Sequence, residues 1–433
     1  MEPFDNSDLN NKGFWYPLDN AAKIFPAITN KKVTSVFRIS ATLKQPINIK
    51  LLFKAVRTIE VRFPYYKVKL KKGFFWYYFE SANFRTSVEV DRHPPCRKFP
   101  NEGPLFRVLA LNNRISVEFS HMLTDGSGAI MYFRTLLASY FELSGVELPS
   151  AFQHLDTSET PNPEEFEDAY NRYFKEDVPA SGKRSKAFHL PFALNSSSGF
   201  DVLNAMLSAE EIKTKASEKG VNITVYLTAV YLYVLQEIFE NLNPGTQNHS
   251  SKKLSIQVPI NLRNIYPTAT MRNFSLFVMP EIDLSLGHYS FDEIIKTVYH
   301  QMQLETDAKL INKILARNVG SERKILIRSI PLFVKSFVLR MNYYALGSSQ
   351  YSGVLTNLGG STFPPELNGL IDYISIVPPP PNKLIKVSCG IIGYNDKLIL
   401  SFGNISKTKE FEKRFIHFLI KQEIGVKLIT YYK

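Results

Sequence analysis

The sequence predicts an α/β protein of α+β sandwich type, built as two lobes arranged as a pseudo-dimer, and three observations carry that expectation. Patterns with a period of two and of 3.6 residues are interleaved in both halves of the chain, as strands and helices sharing a core require. The 433 residues, 44% of them hydrophobic and 13% aromatic, can bury more than one core. Residues 156–188 turn acidic and then rich in Pro, Ser and Lys with few aliphatics, which reads as a surface linker. The expected lobes are therefore 1–188 and 189–433.

In the first half, Val33 to Leu43 reads as a strand, Asn48 to Arg62 as an amphipathic helix and Tyr65 to Phe79 as an aromatic hairpin. Leu105 to Leu111 and Arg114 to Ser120 form two strands turning at Asn112-Asn113. Ile130, Phe133, Leu137 and Phe141 then return the pattern to helical spacing over Ser127 to Phe141. The second half opens on Ser208-Ala-Glu-Glu, a capping box, followed by a strongly apolar helix from Thr224 to about Leu242. Strands are expected at 254–259 and 274–280, and long helices at 291–317 and 325–344. Further strands at 351–356, 373–377, 385–392 and 397–402 precede a last helix over 407–422.

Composition excludes several classes. The most apolar late segment, Ile325 to Leu346, is interrupted by Arg328, Lys335 and Arg340, so no transmembrane segment is expected, and the helix reads more simply as a core element than as a membrane-surface one. Met-Glu-Pro-Phe-Asp-Asn lacks the basic and apolar regions of a secretory signal, and Cys96 and Cys389 make neither a disulfide framework nor a metal site; a cytoplasmic chain is expected. The net charge of +12 is scattered among acids. Its densest cluster, Lys67, Lys69, Lys71 and Lys72, alternates with apolar residues, as on the solvent face of a hairpin, so no nucleic-acid partner is expected. Ser181-Gly-Lys-Arg-Ser-Lys lacks the spacing of a phosphate loop.

One short stretch carries chemistry. Ile115, Val117 and Phe119 alternate toward the end of a strand, and the chain continues Ser120-His121-Met-Leu-Thr-Asp125-Gly126 into a helix. A strand end is a common place to display a reactive side chain. Neutral imidazole, with an ordinary pKa of about 6.5, accepts a proton at neutral pH, so His121 is a candidate general base. Gly126 permits a tight turn, and Asp125 can cap the helix or hold a buried cation. His-x-x-x-Asp-Gly is expected by chance only about 0.02 times in such a chain.

The motif resembles the active-site motif of the acyltransferase superfamily that includes chloramphenicol acetyltransferase, peptide-synthetase condensation domains and free-standing alcohol acetyltransferases. Two further segments share the resemblance: Val258-Pro-Ile-Asn-Leu-Arg263, with Asn273 and Pro280 beyond it, and Leu355-Thr-Asn-Leu-Gly-Gly360. Tyr16-Pro-Leu-Asp-Asn-Ala-Ala-Lys-Ile-Phe-Pro and the strands within Gly390 to Gly403 are similar to the alcohol acetyltransferase branch. The resemblance implies two chloramphenicol-acetyltransferase-like lobes around a tunnel with His121 at its middle. It implies Arg263 paired with Asp125, and Ser120, Thr356, Asn357 and Gly359 along the substrate tunnel. Gly126 and either Thr356 or Asn357 would stabilise an oxyanion.

The same resemblance implies transfer of an acyl group, acetyl first of all, without an acyl-enzyme, from acyl-CoA or an acyl-phosphopantetheine carrier protein to a small-molecule alcohol. No tightly bound cofactor or metal is implied, and a monomer is expected. Two departures are informative. Ser120 replaces the frequent first histidine of the pair, and no Asp-Phe-Gly-Trp-Gly segment of the plant-type branch occurs. Adenylation and carrier domains are missing too, which argues against a peptide-synthetase reading. Amide formation and a non-catalytic acyl-ligand binder are the alternatives.

Overall fold

The structure is a computed structural model that describes residues 13–149, 152–179, 181–182, 184–195, 200–360 and 363–429. Two mixed sheets, each covered by helices, organise two large cores.

The first sheet has five strands in the order Ile371–Val377, Val36–Leu43, Arg114–Ser120, Phe106–Leu111 and Val88–Val90. Ile115, Val117 and Phe119 point from one face into a core closed by the helices Ile49–Ile59 and Gly126–Leu143, and all three are fully buried. The opposite face of the same strand is buried too, because Glu118 is enclosed by arginines. It accepts hydrogen bonds from Arg38 Nε at 2.7 Å and Arg107 Nε at 2.6 Å, and from the Cys96 amide at 2.6 Å. Burial alone would raise the Glu118 pKa; the two guanidiniums outweigh it and lower it.

The second sheet has eight strands. Seven run in the order Ser275–Val278, Lys253–Asn261, Gly353–Gly360, Val387–Tyr394, Lys397–Asn404, Asp201–Ser208, Val426–Ile429, and Glu281–Asp283 pairs with Lys253–Asn261. Val387–Tyr394 is buried along its whole length, under a core shared with the helices Ile223–Glu240 and Glu410–Lys421. Ile223–Glu240 is long and apolar enough to cross a bilayer by length and composition, yet 72% of it is buried in this core. A small third sheet joins Trp15–Pro17 to the hairpin Val68–Lys72 and Tyr77–Ser81.

Several elements differ from the sequence reading. The edge strand Ile371–Val377 comes from beyond residue 188 but pairs with Val36–Leu43, Ile376 opposite Ile39, so the two sheets do not divide where the chain does. Asp201–Ser208, an interior strand of the second sheet, was not expected at all. The long helix over 291–317 is two, Phe291–Glu305 and Ala308–Arg323, because the Asp307 side chain caps a new start by accepting from the Lys309 amide. The helix expected over 325–344 breaks at Pro331 into Ile325–Arg328 and Leu332–Asn342. It also lies at the surface rather than in a core, with Phe333 71% and Phe337 64% exposed. The linker is pinned down: Glu165 takes two 2.7 Å bonds from the Arg62 guanidinium, and Phe166 and Tyr170 are buried.

Candidate active site

The site is built outward from the end of Arg114–Ser120. The His121 amide donates to the Ser35 carbonyl at 2.8 Å, and the His121 carbonyl accepts from Asn273 Nδ2 at 3.0 Å. Both bonds hold the backbone from outside its own strand. The imidazole lies between two aromatic rings, tilted against Phe37 at 4.5 Å and stacked on Phe25 at 5.6 Å. This apolar enclosure lowers its pKa to about 4, while Asp125, the Thr124 backbone and the Asn273 side chain pull weakly the other way. The ring is therefore neutral at pH 7. It is not sealed, since it forms part of the wall of a cavity of about 2010 Å³.

Both carboxylate oxygens of Asp125 are taken by groups other than that ring. One carboxylate oxygen accepts from the Ser127 and Gly128 amides at 3.0 and 3.2 Å, capping Gly126–Leu143. The other accepts from Arg263 Nη1 at 2.9 Å and from the Phe274 amide at 2.7 Å. Arg263 uses its other donors nearby: Nη1 also on Asn261 Oδ1 at 3.2 Å, Nε and Nη2 on the Thr270 carbonyl at 3.1 and 2.9 Å, and Nη2 also on the Arg272 carbonyl at 2.6 Å. A carboxylate and a guanidinium removed from water need such complete partnering.

Packing requires a glycine at 128 more strictly than at 126. A Cβ at Gly128 would sit 2.4 Å from the Met271 carbonyl and 2.2 Å from Thr124 Oγ1. At Gly126 it would meet only Leu358 Cδ2, at 2.5 Å. Gly126 is the first residue of its helix, where the backbone N–H has no partner within the helix, and it lines the cavity.

Thr356, Asn357 and Gly359 of Gly353–Gly360 line the cavity too, on either side of the Leu358 that packs against Gly126. Asn357 is occupied there. Its Nδ2 donates to Thr224 Oγ1 at 2.9 Å and its Oδ1 accepts from the Gly359 amide at 2.8 Å, so it holds the strand end in shape. Ser120 is a correction: it is buried, accepts from the Met122 amide at 3.3 Å and forms no part of the cavity wall. Strand alternation turns its side chain to the face opposite Phe119, into the sheet interior.

Sequence reasoning missed the groups behind the histidine. Asp19 accepts from Asn273 Nδ2 at 3.0 Å and from the Ala22 amide at 2.8 Å, and burial pushes its carboxyl up despite Arg272 at 3.7 Å. Asn273 thus joins the N-terminal segment to the His121 backbone. Asp19 does lie within the Tyr16-Pro-Leu-Asp stretch, but nothing there signalled a contact 254 residues away. Phe25 lies further along the same stretch with no sign that it would stack on the histidine, and Phe37 carried no signal beyond apolarity. Among the described residues, no group of three His, Cys, Asp or Glu side chains is placed to hold a metal ion.

The architecture is the two-lobed fold of chloramphenicol-acetyltransferase-like and condensation-domain proteins, and solved structures match it over nearly the whole chain. Polyketide synthase associated protein 5 from Mycobacterium tuberculosis superposes with a TM-score of 0.61 at 12% identity, over 93% of this chain and 96% of its own. A trichothecene 15-O-acetyltransferase from Fusarium sporotrichioides matches with a TM-score of 0.60 at 9% identity, over 97% of both chains. The first condensation domain of the CDA synthetase gives 0.60 at 14% identity, over 96% of this chain and 99% of its own. No family model matches the sequence, and no curated protein does.

Proposed function

We propose that this protein is an acyltransferase that moves an acyl group from a thioester to the hydroxyl of a small alcohol, with His121 as general base. The observation that carries the reading is a neutral imidazole in the wall of a large cavity to which both halves of the chain contribute. The fold's likeness to an O-acetyltransferase is consistent with it.

In the proposed step the acceptor oxygen attacks the thioester carbonyl carbon as its proton passes to His121. The carbonyl π electrons move onto oxygen. When the tetrahedral species collapses, the C–S electrons leave with sulfur and the imidazolium returns its proton to the thiolate. A positioned base of this kind contributes about 10²- to 10⁴-fold. The Gly126 amide is the donor best placed for the oxyanion, where one such hydrogen bond is typically worth about 3 to 4 kcal/mol. Asn357 is less suited, because its amide already bridges Thr224 and Gly359.

The donor end of the cavity is read from its cations. Lys313 and Arg317, one turn apart on Ala308–Arg323, line it together with Arg184. Burial and the neighbouring Arg184 charge lower the Arg317 pKa. Arg184 is paired with Glu305 of the same wall at 2.5 Å, so Lys313 and Arg317 are the charges that favour an anion there, which suits the phosphates of acyl-CoA or an acyl-phosphopantetheine. The test is free-thiol release from a panel of acyl-CoAs with primary and secondary alcohols. Alcohol-dependent thiol release that disappears in His121→Ala supports the reading, whereas thioester binding without turnover by any alcohol or amine would leave a binding protein.

A further inference from the structure

The helix Leu332–Asn342, which the sequence pattern placed in a core, lies at the surface and presents a line of large apolar side chains to water. Phe333, Phe337 and Met341, spaced by four along Leu332–Asn342, form one outward line, and Ile325 and Leu326 extend it across the break at Pro331. The hairpin tip adds Phe74. All six are between 55% and 83% exposed.

These elements form one surface, although the hairpin tip and the helix lie far apart in sequence. The Leu332 amide donates to the Phe74 carbonyl at 2.9 Å. Lys335 Nζ reaches the Phe75 carbonyl at 3.2 Å and the Arg328 carbonyl at 3.0 Å, and sits 3.7 Å above the Trp76 ring. A buried lysine thus staples the hairpin to the helix. The apolar patch is fixed in place before anything covers it. Water-facing side chains this large in one contiguous set mark a contact surface.

Charge decides what the contact is. From residue 323 to 365 the chain carries five Lys and Arg and no Asp or Glu, although Lys335 is buried beneath the patch. In the hairpin Lys67 and Lys71 pair with Glu60 and Glu80 at 3.7 and 3.6 Å, and Lys69 and Lys72 add positive charge beyond those pairs. A second copy of this chain would bring the same positive charge against itself. An anionic lipid surface complements both features, taking the aromatic and aliphatic side chains into the headgroup boundary and the cations at phosphate level. We propose that this face docks the protein, peripherally, on an anionic bilayer. The same helix forms part of the cavity wall through Leu339, so docking sets the cavity beside the lipid.

Co-sedimentation with phosphatidylcholine vesicles, with and without phosphatidylglycerol, tests this on the full chain. Wild type should pellet with the anionic vesicles and be released by salt. Phe333→Ser/Phe337→Ser should weaken binding by at least about tenfold, as the loss of two inserted rings requires. Lys324→Gln/Arg328→Gln should weaken it on the order of tenfold, from two charges near the surface. Unchanged thermal melts would show both variants folded, which exposed positions allow. Absence of binding to anionic vesicles overturns the proposal, as does equal binding by the variants. A wild-type dimer that becomes monomeric in Phe333→Ser/Phe337→Ser, without vesicle binding, overturns it in favour of a second copy.

Discussion

Arg263 and Asp125 stand 138 residues apart and meet at 2.9 Å, with the aspartate capping the helix after the motif while the arginine also holds two backbone carbonyls, of Thr270 and Arg272. The pair positions the turn that presents His121 without touching its ring. Asp125→Ala and Arg263→Ala should each cost about 3 kcal/mol, the low end for a buried pair, because Arg263 keeps some contact with solvent. The double variant should lose less than the sum. Denaturant melts of the three variants check this; strict additivity would mean that the two residues act separately.

His121→Ala should behave differently. Its ring touches Phe25 and Phe37 and lines the cavity, so its removal should lower kcat/KM by about 10²- to 10⁴-fold while the melting temperature stays close to wild type. A variant that loses stability along with activity would assign the histidine to packing instead.

The pH dependence follows from the depressed imidazole. With a folded pKa of about 4 against about 6.5 unfolded, the unfolded chain binds more protons between those values. Stability from this group is complete above pH 6.5 and is lost as pH falls toward 4. His189, lowered to about 4 by burial and then Lys386, acts in the same window. Melts between pH 7 and 4 should therefore fall less steeply in His121→Ala than in wild type, and less still when His189 is also replaced. On the activity side, turnover should fall only as pH drops through the His121 pKa, so the inflection on the acidic limb should lie well below 6.5.

Glycine substitutions separate backbone crowding from cavity crowding. Gly128→Ala forces a Cβ onto the Met271 backbone and should cost about 3 kcal/mol or prevent folding. Gly126→Ala meets only the end of Leu358, which can turn aside into the cavity, so it should fold and lose activity mainly. Expression yield, melting temperature and turnover of the two variants distinguish the outcomes.

Local chemistry made much of this protein readable in advance. The strand over 114–120, the helix after Gly126, the capped start at Ser208 and the apolar helix near 224 are each specified by neighbours within a few residues, through alternation, helical period or a capping side chain. The strand Asp201–Ser208 escaped because the polar Asn204 is buried beside Ala205 and Leu207 while Val202 and Leu203 are only partly buried, leaving no clean alternation. The helix at 332–342 misled for the opposite reason: its apolar stripe is real, but a stripe does not say whether protein covers it.

The same limit divides the site. His-x-x-x-Asp-Gly stood out because residue type and spacing restrict the chemistry it can do, whereas the arginine of 258–263 stood out only through its segment's resemblance to the acyltransferase superfamily. That Asn357 is held by Thr224, that Ser120 points into the sheet, that Asn273 links Asp19 to the His121 backbone, and that Ile371–Val377 joins the first sheet were decided only in three dimensions. Each depends on partners remote along the chain, and a hydrogen bond or a strand pairing depends on distance and direction between groups whose approach no local pattern encodes. The sequence by itself determined which residues could do chemistry; the tertiary structure decided which of them are left with a free edge facing the cavity.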